Sequence, residues 1–392
     1  MAKRAGGPTN DQRSTTNDQQ PSVLIVSNGH GEDAVGAKLA AILQSRAAVT
    51  GYPLVGTGGS YDGIPRLQPL RGLPSGGFGA RGRGFIADVR AGALDLWRSQ
   101  RRTLRAQRGR ADLTVAVGDT FCLWMAAAAG GPVMCIATAK SSRHDPHGWL
   151  DVRIMRRVAA RVFARDEQTA HDLRTRGINA VCAGNPLMDT IGGGTGAGLR
   201  RPDRHVVVLL PGSREDAYAN LTDLLRLAAV VAQQAPVAVA CAIAPGLDRR
   251  RVTSEVNEAG WTTDHDDVVR RGEARVMLTA DFGGAIRDAD VVVALAGTAS
   301  EQAAGIGKPV VAFPGSGSQV TPRFLAAQQR LLGDALVSTA TWTEAAAAVL
   351  RLLRAPEERL QRGSAGRLRM GPPGAIDRIA GEILRHLTLA AG

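Results

Sequence analysis

Aromatic residues are scarce in this chain: phenylalanine, tryptophan and tyrosine together make up 4% of its 392 residues. Hydrophobic residues as a whole reach 44%, and most of them are alanine, valine and leucine. Small aliphatic side chains suit helices that pack on parallel sheets better than they suit an all-β sandwich. The scarcity of aromatic residues therefore favours an α/β fold.

Cysteine and long apolar runs are also scarce. The four cysteines are far apart, and each lies in an apolar setting: Cys122, Cys135, Cys182 and Cys241. This spacing fits neither a zinc site nor a disulfide framework, so it favours a reducing cytoplasm. No apolar run is long enough to span a bilayer, and any membrane contact is predicted to be peripheral. Residues 1–20 lack the apolar segment of a signal peptide and are expected to form a disordered polar tail.

Basic residues outnumber acidic ones, with 48 lysines and arginines against 36 carboxylates and a formal net charge of +12. This excess predicts attraction to phosphate-rich surfaces, whether nucleic acid or an anionic bilayer, and charge does not choose between them. The length is enough for two domains or three.

The first chemically distinctive stretch follows a short apolar run at Val23–Ser27. It reads NGHGED from Asn28 to Asp33 and leads into a helical pattern. Glycines let the backbone approach a ligand, and His30, Glu32 and Asp33 are able to take a proton. This crowding of ionisable groups in one turn favours a site. The alternative is that Asp33 only caps the helix and His30 is a solvated loop residue.

Residues 56–84 form a glycine-rich loop in which residues 77–82 match the dinucleotide fingerprint by letter. No strand immediately precedes that match and no acidic residue follows at the expected distance, so it is rejected. From Phe85 to Leu104 apolar residues recur at helical spacing among many arginines, which predicts a basic amphipathic helix. A core helix with a solvated arginine face and a membrane-surface helix fit this pattern equally well.

Two further strands are followed by polar groups. Asp119 comes directly after the apolar run Leu113–Gly118, which makes it a candidate for a ligand cleft. The run Val133–Ala137 is followed by the polar loop 138–147, which is expected to contact phosphate or acceptor. His144 and His147 lack a third ligand at a suitable spacing, so no metal site is predicted there. The repeated alternation of strand and helix predicts a doubly wound parallel sheet.

Residues 192–198 are the clearest linker, and a second series of strands begins at His205. The turn PGSRE at 211–215 follows the first of these strands and precedes a helix. There the Gly212 and Ser213 amides and the Arg214 guanidinium are placed to hold a diphosphate. The alternative is a plain turn.

The third strand-turn-helix stretch runs from Ala294 to Gln302 after the apolar run 291–293. The amides that open its helix suit a phosphate, and the Glu301 carboxylate suits two neighbouring ribose hydroxyls. A nucleotide-diphosphate sugar has both groups. The alternative is that Ser300 and Glu301 merely cap the helix.

The order of the three motifs, at 28–33, 210–215 and 297–302, resembles the lipid-A-disaccharide synthase family, and most closely its synthase-related branch. The resemblance runs from about Pro21 onward. It implies a GT-B architecture, in which two Rossmann-like doubly wound parallel-sheet domains enclose a cleft. The expected divisions are a tail (1–20), an acceptor domain (21–191), a linker (192–204), a nucleotide-sugar domain (205–372) and a helix that crosses back to the first domain (373–392).

The resemblance also implies roles for individual residues. A UDP-sugar would be bound by second-domain residues Gly212, Ser213, Arg214, Gly297, Thr298, Ser300, Glu301 and Gln302. Asn28, Gly29 and Gly31 would form the acceptor loop. Proton transfer is assigned to the ionisable set His30, Asp119, Glu32 and Asp33. The expected reaction moves a GlcNAc-type sugar to a lipid-linked or other cell-envelope acceptor with inversion, without a metal or other cofactor.

The first loop departs from the motif of the synthases themselves, which argues against lipid A as the product. A lipid-linked acceptor together with the basic helix predicts peripheral attachment to an anionic membrane surface on its cytoplasmic side, with no nucleic-acid partner. Two alternatives remain. One is a non-hydrolysing UDP-sugar 2-epimerase of the same architecture, and the other is a membrane- or nucleic-acid-binding protein that keeps the fold without turnover.

Overall fold

The structure is a computed structural model that describes residues 20–55, 58–68, 93–192, 196–264 and 267–391. Several sequence predictions lie outside these residues. They are the disordered tail, apart from its last residue, the rejected glycine fingerprint at 77–82 and the first part of the basic helix, with Phe85 and Ile86.

The first half of the chain builds a six-stranded parallel sheet in the order β2-β1-β3-β4-β5-β6. Its strands are β1 (Ser22–Ser27), β2 (Ala48–Pro53), β3 (Leu113–Gly118), β4 (Val133–Ala137), β5 (Ala159–Ala164) and β6 (Ala180–Cys182). The strand order reverses between β1 and β3, because β1 pairs with β2 on one side and with β3 on the other. In open α/β sheets, ligands bind at such a switch point, outside the carboxyl ends of the strands.

The described part of this half contains five helices beside the sheet: α1 (His30–Leu43), α2 (Ala93–Arg105), α3 (Thr120–Ala126), α4 (Trp149–Val158) and α5 (Glu167–Thr175). Short 3₁₀ turns lie at Gly59–Tyr61, Ala127–Ala129 and Pro186–Thr190. Aspartate residues cap the N-termini of two of these helices. The Asp119 carboxylate accepts from the Cys122 amide and opens α3, and Asp166 accepts from the Thr169 amide and opens α5. Both caps come directly after, or within two residues of, a strand end.

The second half builds an eight-stranded sheet in the order β14-β13-β12-β7-β8-β11-β10-β9. Its strands are β7 (His205–Leu210), β8 (Val237–Ala242), β9 (Thr262–Thr263), β10 (Val268–Arg271), β11 (Ala274–Thr279), β12 (Val291–Ala294), β13 (Val310–Ala312) and β14 (Leu336–Ser338). Strand β10 pairs antiparallel with both β9 and β11, so the sheet is parallel with an antiparallel edge. The predicted parallel sheet is present, and strands β9 and β10 add an antiparallel edge to it, where a tight turn at Gly272 joins β10 to β11.

The helices of this half are α6 (Asp216–Gln234), α7 (Arg249–Glu258), α8 (Phe282–Asp288), α9 (Thr298–Gly305), α10 (Pro322–Leu332), α11 (Trp342–Arg354) and α12 (Pro356–Met370). Helix α13 (Ala375–Ala391) follows them, and a short 3₁₀ turn lies at Gly333–Ala335. None of the helices in the described part of the chain is long and apolar enough to cross a membrane.

Helix α13 follows the second sheet in sequence but lies on the first domain. Its first turn is held by Asp189, whose carboxylate accepts from the Gly374 amide and, at 2.7 Å, from the Ile376 amide. Arg378 donates to the Ala183 carbonyl at 2.9 Å, and Glu382 pairs with Arg161 of β5. Helix α13 also packs against α1.

The largest apolar cluster runs through both halves of the molecule. It joins the α1 face of the first sheet to the second sheet by way of Leu187, Met188 and the buried isoleucines of α13. A second cluster fills the opposite face of the first sheet, around Tyr52, Leu104 and Phe121. Because one core is shared, the two domains meet across a packed contact as well as across the cleft between their strand ends.

Candidate functional site

The loops at the carboxyl ends of the two sheets meet across the cleft. A Cβ atom placed on Gly31 would lie 3.6 Å from the Thr298 methyl carbon and 3.7 Å from a Leu187 methyl carbon. A Cβ atom on Gly246 would likewise lie 3.9 Å from Nε2 of His30. The NGHGED loop of the first domain is therefore in contact range of the helix that opens at Thr298. The fold brings together two motifs that are separated by more than half of the sequence.

Backbone geometry at Gly29 fixes the shape of the first loop. Its φ angle is +142°, and a Cβ atom there would come within 2.6 Å of a Glu32 carboxylate oxygen. An L side chain rarely adopts such a φ and would also collide with Glu32. Glycine at this position lets the chain turn from β1 into α1 with the Glu32 carboxylate close to the backbone.

Asp33 is held in the interior behind this loop. The Tyr61 hydroxyl donates to Ser27 Oγ at 2.9 Å, and Ser27 Oγ donates to Asp33 Oδ1 at 2.6 Å. Burial raises the pKa of Asp33 from 3.8 to about 7, although the hydrogen bond from Ser27 opposes this shift. Asp33 is 4% exposed, so among the four residues predicted for proton transfer it is the one placed to support the loop.

Glu32 and Asp119 bring two carboxyl groups to the switch point. Thr138 Oγ1 donates to Glu32 Oε1 at 3.1 Å, and Asn28 Nδ2 donates to Asp119 Oδ1 at 3.0 Å. Burial raises the pKa of Glu32, and the nearby charge of Asp119 raises it further. Burial likewise raises the pKa of Asp119, whereas the Cys122 amide and Asn28 lower it. Carboxyl groups with raised pKa values in a cleft are candidates for proton transfer near neutral pH.

The imidazole of His30 lies at the opening of the same loop. Burial lowers its pKa, and the positive charge of Arg214 lowers it further. The ring is therefore neutral at neutral pH and is able to accept a proton.

On the second domain, the turn after β7 reaches toward these groups. Gly212 has a φ angle of +111°, and a Cβ atom there would lie 3.2 Å from the Leu295 carbonyl oxygen. The 211–215 turn thus lies close to the segment that leads into α9. Burial lowers the pKa of Arg214, and the negative charge of Glu32 opposes that shift. The Arg214 guanidinium of the second domain and the Glu32 carboxylate of the first are electrostatic neighbours across the cleft.

Helix α9 directs Glu301 and Gln302 to the first domain, whereas Ser300 bonds within its own domain. Ser300 Oγ donates to the Ala296 carbonyl at 2.6 Å, and Gln302 Nε2 donates to the Leu187 carbonyl and to Thr190 Oγ1, both at 3.0 Å. Glu301 forms a buried ion pair with Arg165, whose side chain also donates to the Thr138 carbonyl at 3.0 Å. The assignment of Ser300, Glu301 and Gln302 to donor binding stays a prediction, and in the structure all three are engaged in protein contacts.

Arg165 is the site residue that the sequence analysis missed. Its side chain is 4% exposed, and it lies immediately after β5, at the same edge of the sheet as Asp119 and Thr138. Asp119 was predicted as a site residue because it follows a buried strand, and Arg165 also follows a buried strand. Its partner could not be inferred because Glu301 belongs to the other domain.

The loop 138–147 is largely packed. Ser141 and His147 are buried, and Lys140 pairs with Asp151 of α4 at 2.7 Å. Burial lowers the pKa of His147 to about 4, so its ring is neutral at physiological pH. The described residues contain no group of three or more His, Cys, Asp or Glu side chains that could hold a metal ion.

The described part of the basic helix, α2, packs its apolar side on the first domain. Leu96 is 6% exposed, and the Trp97 ring lies 5.4 Å from that of Phe121. The Arg101 guanidinium stacks 3.8 Å from the Trp124 ring centroid. Leu94 and Trp124 remain exposed beside the arginines. The membrane contact of this helix stays a prediction, and Leu96 and Trp97 take part in packing.

Many solved structures share this architecture over almost the whole chain, and three examples follow. The MnaA–UDP complex from S. aureus has 15% identity and a TM-score of 0.63, and the match covers 94% of this chain and 97% of MnaA. A UDP-N-acetylglucosamine 2-epimerase has 14% identity and a TM-score of 0.62, with 95% and 98% covered. The calicheamicin glycosyltransferase CalG4 has 15% identity and a TM-score of 0.60, with 95% and 100% covered.

The fold is GT-B. The two Rossmann-like domains and the cleft implied by the sequence resemblance are thereby confirmed. No protein-family model matches the chain, and no curated protein matches it in sequence. At 14–15% identity these likenesses describe the architecture, and the reaction has to be argued from the residues in the cleft.

Proposed function

We propose that this protein is a glycosyltransferase that moves a GlcNAc-type sugar from a UDP-sugar to a lipid-linked or other cell-envelope acceptor, as the synthase-related resemblance implies. The observation that carries the proposal is the meeting of Glu32, Asp119 and His30 with Arg214 across the cleft. Proton acceptors on one domain and a cation for a leaving diphosphate on the other are the groups that such a transfer needs.

The donor is assigned to residues 205–372. The turn at Gly212 and Ser213 offers backbone amides for the diphosphate, and Arg214 stabilises the charge that develops as the sugar–phosphate bond breaks. The Glu301 carboxylate is assigned to the ribose hydroxyls. Since Glu301 pairs with Arg165 in the structure, ribose binding requires this carboxylate to share or exchange that partner.

The acceptor is assigned to residues 21–191, with Asn28, Gly29 and Gly31 forming its loop. A base drawn from His30, Asp119 and Glu32 takes the proton of the acceptor hydroxyl. The acceptor oxygen then forms a bond to the anomeric carbon on the face opposite the leaving group, and the bond to the diphosphate breaks with inversion. Asp33 supports the loop through Ser27. The residues of the cleft supply the proton transfer and the charge stabilisation without a metal in this scheme.

A thermal-shift screen with UDP, GDP, CDP and dTDP sugars tests the donor assignment, because a ligand that binds only the folded state raises its apparent stability. We expect stabilisation by a UDP-sugar, and its loss in Arg214→Ala. The matched control is Arg226→Ala, which changes an exposed arginine of α6 that pairs with Asp223. A donor-induced shift that persists in Arg214→Ala would contradict the assignment.

The rival function is a UDP-sugar 2-epimerase, since an epimerase shares the fold. Incubation with UDP-GlcNAc in D₂O, without acceptor, separates the two by NMR. An epimerase exchanges the proton at C2 of the sugar, whereas a transferase leaves C2 unlabelled and releases UDP only when an acceptor hydroxyl is supplied. Deuterium at C2 would replace the transferase proposal with the epimerase. Donor binding without exchange or transfer would leave a binding protein.

A further inference from the structure

A groove of about 900 Å³ lies beside α4, outside the cleft between the domains. Four arginines line it: Arg153, Arg156, Arg157 and Arg176. Three of them, at 153, 156 and 157, follow the i, i+3, i+4 spacing that places side chains on one helical face. The fourth comes from the end of α5. The groove therefore gathers positive charge from two neighbouring elements.

None of these four guanidiniums has a carboxylate partner within 4.0 Å among the described residues. Arg156 donates to the Arg176 carbonyl, and Arg176 donates to the His147 carbonyl at 2.6 Å. These bonds to carbonyls orient two of the arginines and leave their charge uncompensated. Like charges that line one groove repel one another, and a bound anion relieves that repulsion.

The inner wall of the groove contains an unsatisfied polar side chain. His147 is 5% exposed, and its Nδ1 atom has no hydrogen-bond partner among the described residues. Buried polar atoms in folded proteins nearly always have a partner. This nitrogen has almost no accessible surface, so it lies behind the wall of the groove, and the arginines are the charged groups that a ligand in the groove would contact.

Trp149 lines the groove, and its neighbour Leu150 lies beside it in sequence. Trp149 is 77% exposed and Leu150 is 52% exposed, and both belong to the first turn of α4. Asp151 follows them, and its charge raises the pKa of Asp119 in the cleft. The first turn of α4, which contributes Trp149 to the groove, therefore lies within electrostatic range of the acceptor side of the site.

We infer that this groove binds the phosphate groups of an anionic amphiphile, with its apolar part against Trp149 and Leu150. The inference rests on the proposed function, and it names the acceptor class as a phosphate-bearing lipid. Guanidinium groups bind phosphate oxygens through paired N–H donors. A single-stranded nucleic acid requires successive aromatic platforms, whereas the described residues that line the groove include one tryptophan.

Vesicle flotation with the full chain tests this inference. Vesicles of phosphatidylcholine alone are compared with vesicles that also contain phosphatidylglycerol. The test variant is Arg153→Glu/Arg156→Glu/Arg157→Glu. The matched control, Arg250→Glu/Arg271→Glu/Arg275→Glu, makes the same change in net charge at exposed second-domain positions. We expect wild type and control to bind the anionic vesicles alike, and the test variant to bind at least about tenfold more weakly.

A second variant, Trp149→Ala, separates apolar contact from charge, and it is expected to weaken binding several-fold without changing the salt dependence. Equal losses in the two triple variants would overturn the inference, because net charge alone would then explain binding. Displacement from vesicles by inorganic pyrophosphate or by single-stranded DNA, each at low concentration, would also overturn it in favour of a soluble phosphate or a nucleic acid.

The same variants are tested for UDP-sugar binding by thermal shift. The groove is supported as a separate acceptor site if one variant loses vesicle binding and still binds the UDP-sugar. That variant is Arg153→Glu/Arg156→Glu/Arg157→Glu. Absence of donor binding in the wild-type protein contradicts the proposed function, and vesicle binding is then judged on its own result. The failure of one hypothesis is in this way distinguished from the failure of the other.

Discussion

Asp33 shows how a single buried carboxyl group makes stability depend on pH. Its pKa rises from 3.8 to about 7 on folding because burial disfavours the charged form. Between these values the folded chain holds a proton at Asp33 that the unfolded chain has lost. The free energy of unfolding therefore falls as pH rises from about 4 to about 7, by up to about 4 kcal/mol from this group.

We predict that Asp33→Asn removes this pH dependence. The asparagine oxygen still accepts from Ser27, so the hydrogen-bonded chain from Tyr61 is retained. Urea unfolding at pH 5 and pH 8 measures the effect: wild type loses stability between the two values, and the variant loses less. At pH 8 the variant is expected to be more stable than wild type. Parallel pH profiles for the two proteins would refute the assignment of a raised pKa to Asp33.

Proton transfer in the cleft is the second residue-scale prediction. If His30 or Asp119 is the base, His30→Ala or Asp119→Asn lowers the turnover rate by about a hundredfold to ten-thousandfold at saturating donor and acceptor. UDP-sugar binding should persist in both variants, since neither residue belongs to the second domain. Normal turnover in both would leave Glu32 as the remaining candidate.

For single residues, the sequence predicts which side chains lie in the cleft better than it predicts which residues those side chains contact. The loop 28–33, Asp119 and Arg214 were predicted from their positions after apolar strands, and the structure brings them to one cleft. The pairing of Glu301 with Arg165 could not be predicted, because ion pairs between distant segments depend on how two domains dock. The position of a residue after a strand can be predicted from the neighbouring sequence. The docking of two domains cannot, because it depends on residues far apart in the chain.

Among the elements, α9 and α12 approach closely because glycines line their contact. A Cβ atom on Gly363 would lie 2.2 Å from the Gly307 carbonyl oxygen, and one on Gly366 would lie 2.3 Å from the Ala304 carbonyl oxygen. Backbone atoms cannot move aside as a flexible side chain can. The position of α9, which opens at the cleft with Thr298, thus depends on small residues in α12.

We predict that Gly366→Ala destabilises the protein by about 1–3 kcal/mol, because the added methyl group forces α12 away from α9. The control is Gly381→Ala in α13, where the nearest atom to a new Cβ is an Arg385 nitrogen at 3.9 Å. That change is expected to be neutral or to stabilise by up to about 1 kcal/mol, since alanine is the better helix former. Urea unfolding checks both, and an equal effect of the two substitutions would contradict the close packing.

Element identity was predictable where strands are fully buried. Strands β1, β3, β4, β7 and β12 are short aliphatic runs, and this pattern predicts a buried strand at all five positions. The antiparallel strands β9 and β10 were missed because they form an edge and carry polar and charged residues, such as Thr262 and Arg271. An edge strand lacks the continuous apolar run of a buried parallel strand.

Across the whole molecule, a chain of contacts connects the two domains inside the cleft. Glu301 of the second domain pairs with Arg165, Arg165 donates to the Thr138 carbonyl, and the Thr138 hydroxyl donates to Glu32. The proposed ribose ligand and a proposed proton acceptor are thus linked through two first-domain residues. A ligand that changes the partner of Glu301 also changes the surroundings of Glu32.

We predict that Arg165→Ala destabilises the protein by about 3–5 kcal/mol, since it leaves Glu301 buried without its counterion. The double variant Arg165→Met/Glu301→Met should lose much less stability, because both members of the ion pair are removed and no unpaired charge stays buried. The control pair is Arg161 and Glu382, whose side chains are about one-third exposed. Arg161→Ala is expected to cost about 1 kcal/mol or less. Thermal unfolding measures all three, and equal costs for Arg165→Ala and Arg161→Ala would argue against a buried pair.

Helix α13 links the folding of the first domain to the later part of synthesis. On the ribosome, residues 22–191 emerge before residues 375–391 have been made, so the surface of α1 that packs against α13 is exposed to water during that interval. Contacts between segments so distant in sequence form slowly, and exposed apolar surface invites association between unfinished chains. The first domain is therefore synthesised first, but its packing cannot be completed until the second domain has been translated. During that interval, the exposed surface of α1 is a place where a chaperone can bind the nascent chain.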